Sequence, residues 1–87
     1  MTSKAGTVLV TGCNRGIGLE FVKQYLLLNW EVIATCRKPE KADDLIRLSD
    51  GNPNLILHTL DITNESSVDG FLKEIGDWPI DLLINNA

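Results

Sequence analysis

Apolar residues gather here into short continuous runs and into longer stretches of helical spacing, and the two kinds alternate. Thr7–Thr11 is an unbroken, β-branched run, the form taken by a strand buried on both faces of a parallel sheet. From Arg15 the apolar positions fall at Ile17, Phe21, Tyr25 and Leu28, with Val22 and Leu26 beside them, which is the spacing of one helix face. Asn29 follows where a left-handed cap is expected, Asn being the next choice after Gly. Glu31–Cys36 reads as a second strand. Pro39 opens a second helix, since Pro suits a first helical turn; Leu45, Ile46 and Leu48 form its apolar face and Gly51-Asn52-Pro53 ends it. Leu55–Leu60 is a third strand. Asp61-Ile62-Thr63-Asn64 supplies a turn and a cap for a third helix, with Val68, Phe71, Leu72 and Ile75 on one face. Pro79 precedes a fourth strand, Ile80–Ile84, which runs into Asn85-Asn86-Ala87.

The order β-α-β-α-β-α-β with short loops implies an α/β fold with a parallel sheet and right-handed crossovers. The doubly wound, Rossmann-type arrangement gives strand order 3-2-1-4. Residues 1–87 then make one domain at most, of the dinucleotide-binding kind. The order reverses between the first and fourth strands, so a ligand is expected at their carboxyl ends.

That edge carries the most specific chemistry in the chain. Val8-Leu9-Val10-Thr11-Gly12-Cys13-Asn14-Arg15-Gly16-Ile17-Gly18 is an apolar strand ending in three glycines, followed at once by a helical pattern. A pyrophosphate needs free backbone N–H groups, no Cβ in the way and the positive end of a helix dipole. Gly12 suits the tight turn, Gly16 lets backbone approach the phosphates, and Gly18 lets the helix sit close on its strand. No Gly-Lys-Ser or Gly-Lys-Thr closes the motif, which excludes a P-loop.

Composition narrows the partners. The chain has 87 residues, 44% hydrophobic and 23% charged, with a net charge of −4. Such a length buries only roughly 60–65% of its unfolded surface. The charges are scattered, and Lys38 and Lys41 are balanced by Glu40, Asp43 and Asp44, so neither nucleic acid nor an anionic membrane is indicated. No run reaches the ~18 apolar residues of a membrane helix, and the N-terminus lacks a signal-peptide core; cytoplasm is the expected compartment. Cys13 and Cys36 are expected as reduced thiols, with a disulfide between the glycine turn and the second strand as the alternative. Asn64-Glu65-Ser66 is a chance sequon in that compartment. No Cys, His or Asp cluster has metal-ligand spacing.

Three motifs in order, Thr11-Gly12-x-x-x-Gly16-x-Gly18, Asp61-Ile62-Thr63 and Asn85-Asn86-Ala87, resemble the short-chain dehydrogenase/reductase family over the whole chain. The finer wording, Thr-Gly-Cys-Asn-Arg-Gly with Thr-Cys-Arg after the second strand, is similar to the sniffer-type carbonyl reductases and the C-factor group. The resemblance implies a pyrophosphate held by Gly12–Gly18 with contacts from Asn14, Arg15 and Ile17. It implies adenine against Asp61 and Ile62, Asn86 and Ala87 beside the ribose or nicotinamide, and Asn85 bracing the sheet. The family motif continues into Gly after Asn-Asn-Ala. Its reaction is hydride transfer to a carbonyl carbon, with a Ser and a Tyr-x-x-x-Lys that lie after the fourth strand.

Arg37 carries a separate physical argument. An NAD-selecting site places Asp or Glu at the end of the second strand to accept from the ribose hydroxyls. Here the position reads Thr35-Cys36-Arg37, and a guanidinium there suits the 2′-phosphate of NADP(H), with Arg15 closing from the glycine loop. The alternative is a solvated surface charge. Tyr25 is followed by Leu26-Leu27-Leu28-Asn29, without lysine, and lies on the first helix's apolar stripe, so it reads as core. His58, Trp30 and Trp78 read as structural.

The expected function is therefore that of an NADP-dependent oxidoreductase acting on a small carbonyl substrate, with homo-oligomers allowed. By that resemblance residues 1–87 would be the N-terminal, cofactor-binding portion of its dinucleotide-binding domain, the sheet incomplete at its C-terminal side, without catalytic or metal-ligating residues and inactive alone. The other reading is a short, non-catalytic nucleotide- or partner-binding module.

Overall fold

The computed structural model describes residues 4–14 and 16–86. Four parallel strands, β1 (Thr7–Thr11), β2 (Glu31–Cys36), β3 (Leu55–Thr59) and β4 (Leu82–Ile84), form one sheet in the order β3-β2-β1-β4. Helices α1 (Gly16–Leu27), α2 (Asp43–Gly51) and α3 (Glu65–Ile75) connect them. Side chains alternate across a strand, so the sheet has two cores. Val8, Val10, Val32 and Ala34 face Leu19 and Val22 of α1 and Leu45 of α2, whereas Leu9 and Ile33 face Phe71 of α3. That is the doubly wound arrangement, with the strand-order reversal between β1 and β4.

Local signals act as expected at several points. Asn29 ends the first crossover at φ 65°, in the left-handed region. The Asn64 side chain accepts from the Ser67 N–H at 3.2 Å and caps α3. Tyr25 packs edge-on against Trp30, with ring centroids 5.1 Å apart.

Five expectations need correction. The face of α1 is turned: Gly18, Leu19 and Val22 are buried, whereas Ile17 is 69% exposed and Leu28 is also outside. The close seat of Gly18 against β1 sets that rotation, as described below. The second helix is two pieces, a single turn of 3₁₀ helix over Pro39–Lys41 and then α2, because buried Ala42 leaves helical geometry at ψ 76°. Leu72 of α3 points outward, 55% exposed, while Val68, Phe71 and Ile75 pack. Strand β4 begins at Leu82 rather than Ile80, since Ile80 packs into the α3-side core and the Asp81 carboxylate takes the Thr7 N–H at 2.8 Å. Strand β3 ends one residue early, at Thr59, although the Leu60 N–H still donates to the Cys36 carbonyl at 2.9 Å.

The end of the sheet away from the glycine turn is tied by Glu31. Its carboxylate accepts from Lys4 Nζ at 2.8 Å, Trp78 Nε1 at 2.9 Å and Thr7 Oγ1 at 3.3 Å. The Lys4 bond, ahead of the others, holds the carboxyl below its ordinary value of 4.5. A group with a depressed folded-state pKa adds stability that is present above the unfolded value and lost as pH falls through the folded one. Stability should therefore decline as pH drops below about 4.5, and Glu31→Gln should flatten that decline in thermal unfolding measured against pH. Equal slopes for the two proteins would exclude Glu31 as a contributor.

Among the described residues no helix is long and apolar enough to cross a membrane.

Candidate functional site

The carboxyl ends of β1 and β4 meet at the glycine turn. Thr11 Oγ1 donates to Asn85 Oδ1 at 2.9 Å and accepts from the Asn86 N–H at 3.0 Å, so one hydroxyl joins both asparagines. Asn86 Nδ2 donates to the Gly12 carbonyl at 3.1 Å. Asn86 is thereby locked to the loop by its backbone and its side chain together.

The three glycines serve different needs. Gly12 lies at φ 64°, and a Cβ there would collide with the Asn86 backbone carbonyl. Gly18 has an ordinary φ, but a Cβ would collide with the Gly12 carbonyl and come within 2.7 Å of Asn86 Nδ2. Gly16 lies at φ 63° and its Cβ would meet nothing within 4 Å. Two glycines thus permit protein to approach protein, and the third opens onto free space at the N-terminus of α1. The first-turn N–H groups there, of Gly16, Ile17 and Gly18, have no intrahelical acceptor and carry the positive end of the helix dipole. The residues present fit a pyrophosphate.

That space belongs to a cleft of about 1090 Å³. Of the residues singled out from sequence, Gly12, Asn14, Gly16, Ile17, Arg37, Asp61, Ile62 and Asn86 line it. Gly18 stands behind the loop. Arg15 and Ala87 lie outside the described residues. The Asp61 carboxylate accepts from Thr63 twice, from Oγ1 at 2.6 Å and from the N–H at 3.0 Å. These bonds, and after them the Arg37 charge, hold the Asp61 carboxyl below the usual range, so it faces the cleft as an ionised acceptor. The Asp61 N–H is tied to Ser67 Oγ at 2.9 Å, which joins the end of β3 to the first turn of α3.

Sequence reasoning missed the far wall, where Lys38, Lys41 and Arg47 join Arg37, interleaved with Asp43 and Asp44. The charge balance along the chain disguised it, because alternating signs in sequence give no sign of which side chains share one wall. Thr63 was also missed as the residue that orients Asp61. Its signal was present in the Asp-x-Thr spacing of an Asx turn.

The remaining titratable candidates are structural. Cys13 and Cys36 are buried and free, as the reduced-thiol reading expected. His58 Nδ1 pairs with Glu74 Oε2 at 2.8 Å across β3 and α3, and its ring packs edge-on against Phe71. Among the described residues no group of His, Cys, Asp and Glu could hold a metal ion.

The parallel sheet, the order reversal and the glycine turn at the reversal define a nucleotide-binding α/β protein. The profile of the short chain dehydrogenase family matches residues 6–87, and the chain belongs to that family. Over 83 residues it is 40% identical to the uncharacterized oxidoreductase YusZ of Bacillus subtilis, covering 91% of this chain and 29% of that protein. The Sniffer carbonyl reductase structure of Caenorhabditis elegans is 39% identical, with a TM-score of 0.81 over 99% of this chain and 38% of that one. A carbonyl reductase of Pseudomonas aeruginosa in complex with NADP is 30% identical, with a TM-score of 0.88 over 94% of this chain and 38% of that one. The chain spans about three-tenths of the length of the curated relatives it matches.

Proposed function

We propose that residues 1–87 are the dinucleotide-binding unit of an NADP(H)-dependent carbonyl reductase and hold the cofactor for chemistry completed elsewhere in the protein. The observation that carries this reading is the pairing of Gly16 and Arg37 on one cleft, with no carboxylate at the end of β2. Relatives that include an NADP complex and carbonyl reductases support it.

In this reading the backbone of Gly12, Gly16 and Ile17, with Asn14 and Arg15, takes the pyrophosphate. Gly18 sets the height of α1 behind it. Arg37 takes the 2′-phosphate, Asp61 and Ile62 receive the adenine, and Asn86 and Ala87 border the ribose and nicotinamide side. When bound, the cofactor supplies a hydride to a carbonyl carbon. The chain's own residues bind and orient it; Tyr25, packed against Trp30, donates no proton, so these residues alone turn over no substrate. A small carbonyl compound as substrate, a cytoplasmic setting and self-association belong to the same proposal.

The test is titration of both cofactors into the protein at its natural length. A charge-assisted bond contributes roughly 1.5–3 kcal/mol, so NADPH should bind about 10- to 100-fold more tightly than NADH. Arg37→Asp should erode or reverse that ratio. Equal affinities in the wild type would sink the proposal.

A further inference from the structure

Beneath the glycine turn lies a polar node that the nucleotide reading does not use. Cys13 and Thr35 are completely buried. Cys13 Sγ–H donates to the Val10 carbonyl at 2.8 Å, and Thr35 Oγ1–H donates to the same oxygen at 3.3 Å. The Cys13 N–H donates to the Thr35 carbonyl at 3.2 Å. One residue of the turn is thus bonded to the last turn of β1 by its side chain and to β2 by its backbone. Thr35 lies two residues before Arg37.

We propose that Cys13 is a positioning residue for the pyrophosphate loop, its thiol serving as a buried hydrogen-bond donor that locks the turn onto β1 and β2. The inference rests on the nucleotide-binding reading of the cleft. Two further features agree with it. The Cys13 N–H is already committed to Thr35, so the loop offers phosphate the N–H groups that follow and not this one. Burial pushes the thiol up to about 12, so Sγ keeps its proton and remains a donor throughout the physiological range. A reactive thiolate is the opposite case, exposed and depressed. The side chain acts through geometry, by setting where Asn14 and the start of α1 stand, and does not touch the ligand.

The experiment compares two probes on the protein at its natural length. NADPH engages the glycine loop and the end of β2; adenosine 2′-monophosphate has no pyrophosphate and engages only the adenosine side. Loss of a neutral, buried donor should weaken NADPH binding to Cys13→Ala about five- to tenfold. Binding of adenosine 2′-monophosphate should stay within about twofold, since Arg37 at the end of β2 takes its phosphate and it uses none of the loop's N–H groups. Cys13→Ser, which restores a donor, should recover most of the loss. Thr35→Val, which keeps shape and removes the second donor, should show a smaller effect of the same kind. An unchanged NADPH affinity in Cys13→Ala overturns the proposal, as does a parallel loss for both probes, which marks general loosening. A Cys13→Ser variant no better than Cys13→Ala shows that packing and not donation matters, and overturns it too. A wild type that binds neither probe overturns the nucleotide reading itself, and this inference with it.

Discussion

Gly16→Val is expected to weaken NADP(H) binding by at least about a hundredfold while the protein still folds. Two or more charge-assisted bonds from the loop to phosphate would be lost, each contributing roughly 1.5–3 kcal/mol. The side chain would project into the cleft, since a Cβ at Gly16 meets no protein atom within 4 Å. For the same reason it creates no clash inside the fold. The cost to folding is backbone strain alone: φ is 63°, and a β-branched residue held there loses about 1–3 kcal/mol. Calorimetric titration beside a denaturant unfolding curve separates the two effects. Binding within a few-fold of the wild type would mean that the loop does not cradle phosphate.

Gly18→Ala is expected to act in the opposite way, on the fold first. In an ordinary helix this exchange is stabilising by about 0.8–1 kcal/mol. Here the added Cβ collides with the Gly12 carbonyl, which is backbone and cannot swing aside, and stands 2.7 Å from Asn86 Nδ2, which would have to give up its bond to that carbonyl. Helix α1 must lift from β1, which opens the contacts of Leu19 and Val22 with the sheet. The net change should be a loss of about 1–3 kcal/mol, the usual range for overpacking. A shifted midpoint in urea or guanidinium unfolding measures it. Stabilisation of the size that helix propensity alone gives would show that α1 does not sit on Gly12. Nucleotide affinity should fall as well, because the same shift carries the first turn of α1 out of line. The two glycines stand two residues apart in one motif, yet one variant separates binding from folding and the other joins them.

The elements that local chemistry controls were legible along the chain. Alternation of continuous apolar runs with helical spacing predicts four parallel strands joined by right-handed crossovers, and the doubly wound arrangement supplies their order. Asn29 at a positive φ and the Asn64 cap follow from side chains that satisfy neighbouring backbone groups, with no help from distant residues. The meeting of the glycine turn with Asn85-Asn86 follows from topology, since both end adjacent parallel strands. The candidate cleft could therefore be placed from sequence, and eight of its expected residues do line it.

What sequence periodicity left open was decided by contacts between distant segments. A stripe of apolar residues around α1 allows more than one rotation; the seat of Gly18 on the Gly12 carbonyl selects the one that turns Ile17 to the cleft. Pro39 announces a helix start, but the chain leaves helical geometry at buried Ala42, and Lys41 before that break and Arg47 after it line the same wall as Arg37. The buried bonds of Cys13 and Thr35 to one carbonyl are likewise invisible in a list of residues 22 apart. Periodicity and capping depend on neighbours a few residues away and can be read along the chain. Helix rotation, the approach of charges across a cleft and the sharing of one buried acceptor depend on steric fit between segments that meet only after folding.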